Sequence, residues 1–281
     1  MVDLNSIAAN LELHSDGIWY AKHQSPIAYP EDGNIFCYGV EEESFWFNHR
    51  NTFILEALRR FPPADVLFDV GGGNGFVAKA ICDSGIHTIL VEPGIEGIYN
   101  AKRRGIIQLI CASLEDAVFF DHTLPAVGMF DVLEHIRNDH DFLSKIRRLL
   151  IPGGRLYLTV PAYRLLWSTE DDFAQHYRRY SLRELKQQLN STGFIIEYAT
   201  YIFASLPVPI FLFRTIPSQL GWRRRNDSSR EKSELSPRSD TANNLLDRIL
   251  RIELKILRQQ KTLPFGGSCL VVAKTPVELG E

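Results

Sequence analysis

Residues 66–75, VLFDVGGGNG, constrain the fold more than any other stretch: an apolar run ends abruptly in glycines, and Phe76, Val77 and Ala80 then fall at helical spacing. A strand buried on both faces reads as a near-continuous apolar run. A glycine turn directly after it lets backbone approach a ligand closely, at the carboxyl edge of a sheet. Four more short apolar runs, 88–91, 109–112, 126–132 and 155–160, are separated by helical patterns. Strands alternating with helices predict a parallel, doubly wound sheet. Ser181 and Glu184 form a capping-box pattern that opens a helix ahead of a strand over 194–201, and 268–274 is the last strand.

The 281 residues, 45% of them hydrophobic, suit one elaborated α/β domain and leave little for a second. Residues 1–40, punctuated by Pro26, Pro30, Gly33 and Gly39, read as an irregular extension. The core is expected over 41–201, led by a helix with Phe45, Trp46, His49, Phe53, Ile54, Ala57, Leu58 and Phe61 at helical spacing and stopped by Pro62 and Pro63. An apolar and helical lid insertion follows over 202–267. Its polar stretch, 223–243, has too few apolar residues to offset ordering entropy and is expected to be disordered. Residues 268–281 supply the final core strand and a tail.

Composition excludes several classes. A net charge of -3, from 31 basic and 34 acidic residues, gives no general attraction for phosphate backbones, so no nucleic-acid partner is expected. Cys37, Cys82, Cys111 and Cys269 lie far apart with no CxxC pair, which suggests neither a disulfide framework nor a thiolate zinc site. The N-terminus lacks a basic region followed by an apolar one, and the most apolar window, 198–216, is broken by Pro207, Pro209 and Arg214. A cytoplasmic location is the expectation.

The glycine turn is open to two chemistries. Gly73, Gly75 and Ala78 satisfy GxGxxA, which a nicotinamide-dependent dehydrogenase would use to seat a pyrophosphate on a helix N-terminus. Asp69, two residues before the first glycine, would repel that phosphate but would suit a ligand carrying an ammonium group, as S-adenosylmethionine does. Glu92, about 20 residues beyond the first glycine at the end of the second core strand, stands where an acid can accept both hydrogen bonds of a ribose diol.

FDVGGGNG, then VEP at 91–93, FDVLEHI at 130–136 and LLIPGGRLYLTVPA at 149–162 resemble, in order, the motifs of class I S-adenosylmethionine-dependent methyltransferases of the type 11 and 12 kind. SFWFNHRN and HYRRYSLREL are also similar to stretches of related bacterial proteins. The resemblance implies a Rossmann-like, doubly wound seven-stranded sheet with its last strand antiparallel, and S-adenosylmethionine as cofactor. It also implies Asp69, Gly71, Gly73, Gly75, Glu92 and Asp131 as cofactor contacts, with Ser113 and Leu114 near the adenine. Either Glu115 or Asp116 is then the acid beside the adenine amine.

Methyl transfer from a sulfonium needs the acceptor held in line, and a base only where the acceptor must lose a proton. His135, His176 and Tyr177 are the catalytic candidates, on loops after the fourth and fifth core strands. His135 serves equally as a helix cap or a packing residue. Arg178 and Arg179 suit either an anion clamp or a solvated face. Glu134 and His135 hint at the metal site of quinone-pathway O-methyltransferases, but no third ligand stands at useful spacing, so no metal is expected. Phe203, Leu206, Val208, Ile210, Phe211, Leu212 and Phe213 read as an apolar lid with Arg214 and Arg223, Arg224 and Arg225 beside it. That pattern suits a small or lipid-linked acceptor, of glycan or isoprenoid type, with peripheral contact through 203–225 at the inner membrane face. Packing within the chain or a dimer contact would use the same residues. A non-catalytic scaffold that merely binds cofactor is the remaining alternative.

Overall fold

The computed structural model describes residues 2–23, 38–222 and 240–277. In chain order the principal elements are β1 (Leu11–Leu13), β2 (Trp19–Ala21), α1 (Phe45–Arg60), β3 (Leu67–Val70), α2 (Phe76–Asp83), β4 (Thr88–Val91), α3 (Ile95–Arg103), β5 (Leu109–Cys111) and β6 (Leu124–Phe130). They continue with α4 (Asp139–Leu149), β7 (Leu150–Pro161), α5 (Leu182–Ser191), β8 (Ile195–Ile202), α6 (Asp240–Arg258) and β9 (Ser268–Lys274). One sheet runs β1-β2-β5-β4-β3-β6-β7-β9-β8. The strands β5, β4, β3, β6 and β7 are mutually parallel, and β9 lies antiparallel between β7 and β8.

Strand periodicity sorts the core into two faces. Phe68, Val127, Met129, Leu156, Leu158 and Val271 pack with α4 and α5 through Phe142, Leu143, Ile146, Leu185 and Leu189. Leu67, Ala126, Phe130, Tyr157, Leu270 and Val272 pack with α1 and α6 through Phe53, Ile54, Leu58, Leu250 and Leu257. Chain order reverses at β3, with β4 on one side and β6 on the other. This switch point is where an open α/β sheet leaves a crevice beyond its strand ends.

The sheet has nine strands where seven were expected. The extra two come from residues 1–40: β1 and β2 form a hairpin whose Trp19 and Tyr20 pair in parallel with Ile110 and Cys111 of β5. Three-residue strands are too short to show a period, so this segment reads as irregular in sequence although it covers the edge that β5 would otherwise expose. A second difference concerns the insertion. Phe203 is fully buried, stacked 6.0 Å from Trp46 and edge-on to Phe53 at 5.5 Å, so it belongs to the α1 face of the core and not to a lid. Beyond it, Val208, Leu212, Phe213, Leu220 and Trp222 are exposed. Of the polar stretch 223–243, residues 223–239 lie outside the described residues, and 240–243 are the first turn of α6 and not disordered. No helix among the described residues is long and apolar enough to cross a membrane.

Candidate active site

The crevice opens at the ends of β3 and β6 as a cleft of about 130 Å³, lined by Glu41, Phe47, Arg50, Asp69, Gly71 to Asn74, Phe76, Val77, Phe130 and Asp131. Asp69, Gly71 and Gly73 share this lining with Asp131; Gly75 is not part of it. Gly75 caps α2 at φ 74°, and a Cβ there would stand 2.6 Å from Ile106 Cδ1 and 2.7 Å from Ala101 Cβ. Only glycine meets both the left-handed backbone and the close approach of α3. A Cβ on Gly72 would fall 2.2 Å from Leu90 Cδ1 and 2.8 Å from Asp69 Oδ2, so the loop lies directly against the carboxylate.

Asp69 is 1% exposed, and its Oδ2 has no hydrogen-bond partner. Burial pushes its carboxyl up to about 7, with Arg50 opposing the rise and Glu92 adding to it. A buried carboxylate oxygen lacking a partner costs free energy until a donor or cation reaches it. The ammonium of a bound S-adenosylmethionine is such a group, and the glycine backbone around the carboxylate is a cradle that a Cβ would fill. The residues present therefore fit this cofactor.

Glu92 braces the same loop. Its Oε2 accepts from the Gly73 N–H at 2.9 Å and its Oε1 from Gly94 N–H at 2.8 Å, while burial raises its pKa. Each carboxylate oxygen keeps a second lone pair, so bracing the loop leaves capacity for a ribose diol. Ser113 and Leu114 lie outside the cleft lining. Ser113 caps a short helix by accepting from the Asp116 N–H at 3.0 Å and donating to Asp116 Oδ2 at 2.8 Å, and the Leu114 side chain is buried in the core. Glu115 sits 3.7 Å from Lys145.

Asp131 follows β6 at φ 58° and pairs with Arg50; Thr159 donates to its other oxygen at 3.1 Å. The Arg50 guanidinium also lies 4.8 Å over the Trp46 ring and 5.1 Å over Phe47. Sequence reading passed over Arg50. Its signal was a cation on the face of α1 that carries Phe53, Ile54 and Ala57, where a charge stays only if paired. Asn74 and Glu41 were also missed: Asn74 Nδ2 donates to Glu41 at 3.3 Å, Asn100 donates to Asn74 at 2.9 Å, and Arg104 donates to Glu41 at 2.7 Å and the Asn74 carbonyl at 2.9 Å. This network fixes the loop from beneath.

His135 and His176, from separate loops, meet at the next layer with ring centroids 4.7 Å apart. Burial, then His176, lowers the His135 pKa to about 4, so this ring is a neutral imidazole near neutral pH. His176 Nδ1 lies 2.9 Å from Asp171 Oδ1, which also accepts from Arg179 Nε at 2.7 Å; the other Asp171 oxygen accepts from the Ser168 N–H at 2.9 Å. A carboxylate on Nδ1 fixes the tautomer and presents Nε2 outward. Glu134 is 1% exposed with Oε2 unpartnered, and burial followed by Asp131 holds its pKa well above the carboxylate range. The Tyr177 side chain is exposed, while its N–H donates to the Glu134 carbonyl at 2.8 Å and so ties the two loops together. Arg178 and Arg179 are engaged internally, with Asp139 and Asp171, and form neither a solvated face nor a ready anion clamp.

Residues 46–199 match the family model of the methyltransferase domain. A probable S-adenosylmethionine-dependent methyltransferase of Mycolicibacterium smegmatis is 26% identical over 182 residues, covering 63% of this chain and 70% of that protein. Among solved structures, the methyltransferase bound to the Haloferax volcanii Trm112 activator aligns with a TM-score of 0.57 at 18% identity, over 89% of this chain and 97% of that one. Phosphoethanolamine N-methyltransferase 2 of Haemonchus contortus, in complex with S-adenosyl-L-methionine, aligns with a TM-score of 0.53 at 18% identity, over 88% of this chain and 57% of that one.

Proposed function

The chain belongs to the methyltransferase-domain family and is an S-adenosylmethionine-dependent methyltransferase, and from that premise we propose that it methylates an oxygen of a small or lipid-linked acceptor, of glycan or isoprenoid type. The observation that carries this reading is the His176–Asp171 pair, 2.9 Å apart and set against His135 one layer beyond Asp131. S-adenosylmethionine supplies the sulfonium-bound methyl group. Asp69 holds its ammonium, the backbone of Gly71, Gly73 and Gly75 gives it a close-fitting seat, Glu92 accepts from the ribose diol, and Asp131 orients the methionine end. The main chain at Ser113 and Leu114 borders the adenine. Nε2 of His176 takes the acceptor's hydroxyl proton, and Asp171 stabilises the resulting imidazolium through Nδ1–H. His135, uncharged, packs against the His176 ring, and exposed Tyr177 marks the acceptor's approach.

The apolar insertion supports the acceptor class. Val208, Phe213 and Trp222 are 66%, 70% and 74% exposed, and Arg223, Arg224 and Arg225 follow in sequence. The Thr169 N–H donates to Ser218 Oγ at 3.0 Å, which fastens this segment to the loop that leads to His176. Exposed apolar residues followed by cations suit the interface of an anionic inner membrane leaflet. The test is transfer of label from methyl-labelled S-adenosylmethionine to lipid extracts and to water-soluble alcohols, phenols and amines. Label in a lipid-phase ether, lowered at least 100-fold in His176→Ala and about tenfold in Phe213→Glu/Trp222→Glu, is the expected result. Label confined to amines overturns the oxygen assignment, and label confined to the water-soluble phase overturns the lipid one.

A further inference from the structure

The metal site that the sequence left without a third ligand is completed in three dimensions by a residue from another loop. Among the described residues, ligand atoms of Glu134, His135 and His176 lie within 4.8 Å of one another. We propose that these three side chains bind one divalent first-row transition-metal ion of the Zn²⁺ class.

Four observations point the same way. Glu134 is 1% exposed and its Oε2 has no hydrogen-bond partner, although it sits beside two imidazoles. The two nearby guanidiniums are already committed, Arg50 to Asp131 and Arg179 to Asp171, so among the described residues the Glu134 carboxylate has no ion-pair partner. His176 Nδ1 is engaged by Asp171 at 2.9 Å, which leaves Nε2 as the donor atom and reproduces the carboxylate–histidine support that orients metal ligands. The Tyr177 N–H to Glu134 carbonyl bond at 2.8 Å pins the loop of one ligand to the turn of the other two.

The ligand chemistry selects the ion. Two imidazoles and one carboxylate suit Zn²⁺ and its neighbours, whereas Mg²⁺ and Ca²⁺ prefer all-oxygen sets. Drawing the three atoms to the roughly 3.4 Å mutual spacing of a tetrahedral site takes side-chain shifts of about an ångström. Three protein ligands leave a coordination position open; resting on the oxygen acceptor proposed above, that position would receive the acceptor's oxygen, and the ion would then acidify the hydroxyl in place of the free His176 Nε2.

The test needs no acceptor, so its failure and that of the proposed reaction are distinguishable. Tag-free protein is stripped with chelator and titrated with Co²⁺ alone, read by visible absorption and by metal content after dialysis. One Co²⁺ per chain with d–d bands is expected, displaced by Zn²⁺ and not by Mg²⁺. His176→Ala and Glu134→Gln should each weaken Co²⁺ binding by at least tenfold, and Asp171→Asn by about tenfold, with affinity for S-adenosylhomocysteine retained as the check on folding. Zn²⁺ should also slow diethyl pyrocarbonate modification of His135 and His176 in the unaltered protein. Absence of stoichiometric Co²⁺, or binding unchanged in His176→Ala, overturns the site and leaves His176 as the proton acceptor of the proposed reaction.

Discussion

Asp69 concentrates the conflict between stability and function at a single residue. Its carboxyl is buried and raised to about 7, so between about pH 4 and pH 7 the folded protein holds a proton that the unfolded chain has released. Its contribution to stability is therefore present at low pH and is lost as pH rises through 7. Asp69→Asn should unfold at higher urea than the unaltered protein, by a margin that grows from pH 4 to pH 7 and is level above; a margin that shrinks with pH would contradict the buried, partner-poor carboxylate. On the proposed seat, in which Asp69 is the counter-charge of the ligand's ammonium, the same substitution, and Asp69→Ala more so, should weaken S-adenosylhomocysteine binding at least 100-fold in calorimetric titration. Arg50 poses the opposite case, a buried cation paired with Asp131. Arg50→Ala should cost about 3–5 kcal/mol by leaving Asp131 unpaired. Arg50→Met with Asp131→Asn should restore most of that loss, and denaturant unfolding of the three variants measures the coupling.

At the scale of elements, side chains from other parts of the chain hold the glycine loop. Glu92 grips it from above, and the Asn74, Glu41 and Arg104 network grips it from below. Gly75→Ala should therefore destabilise by about 2–4 kcal/mol, through left-handed strain and collision with Ala101 and Ile106, and urea unfolding checks it. Most of this loop was legible in sequence, because strand, turn and helix there are contiguous and each carries a local signal. The β1–β2 hairpin was not, since each strand is three residues long and its parallel pairing to β5 is a long-range contact. Phe203 was misplaced for a related reason: an apolar residue at the end of a strand looks alike whether it turns toward α1 or toward solvent, and packing against Trp46 and Phe53 decides it.

For the molecule as a whole, cofactor binding should act as a structural clamp, since the proposed seat draws on β3, β4, β6 and α1 together. S-adenosylhomocysteine at 100 times its Kd should stabilise the protein by about 2.7 kcal/mol, a rise of about 5–10 °C in Tm for a chain of this size. NADH at the same concentration should give no shift, and differential scanning fluorimetry reads both. The sequence by itself determined the parallel core and the glycine turn after β3 with Asp69 and Glu92 beside it, while its ordered motifs carried the resemblance that implied the cofactor. Apolar periodicity, turn residues and the spacing of charges along one strand–helix unit are local properties that need no knowledge of the fold. Only the tertiary structure decided that Arg50 answers Asp131, that Asp171 holds His176, that His176 meets His135, and which apolar residues of the insertion stay exposed. Those pairs join segments far apart in the chain, and their energetics depend on burial, which no linear spacing records.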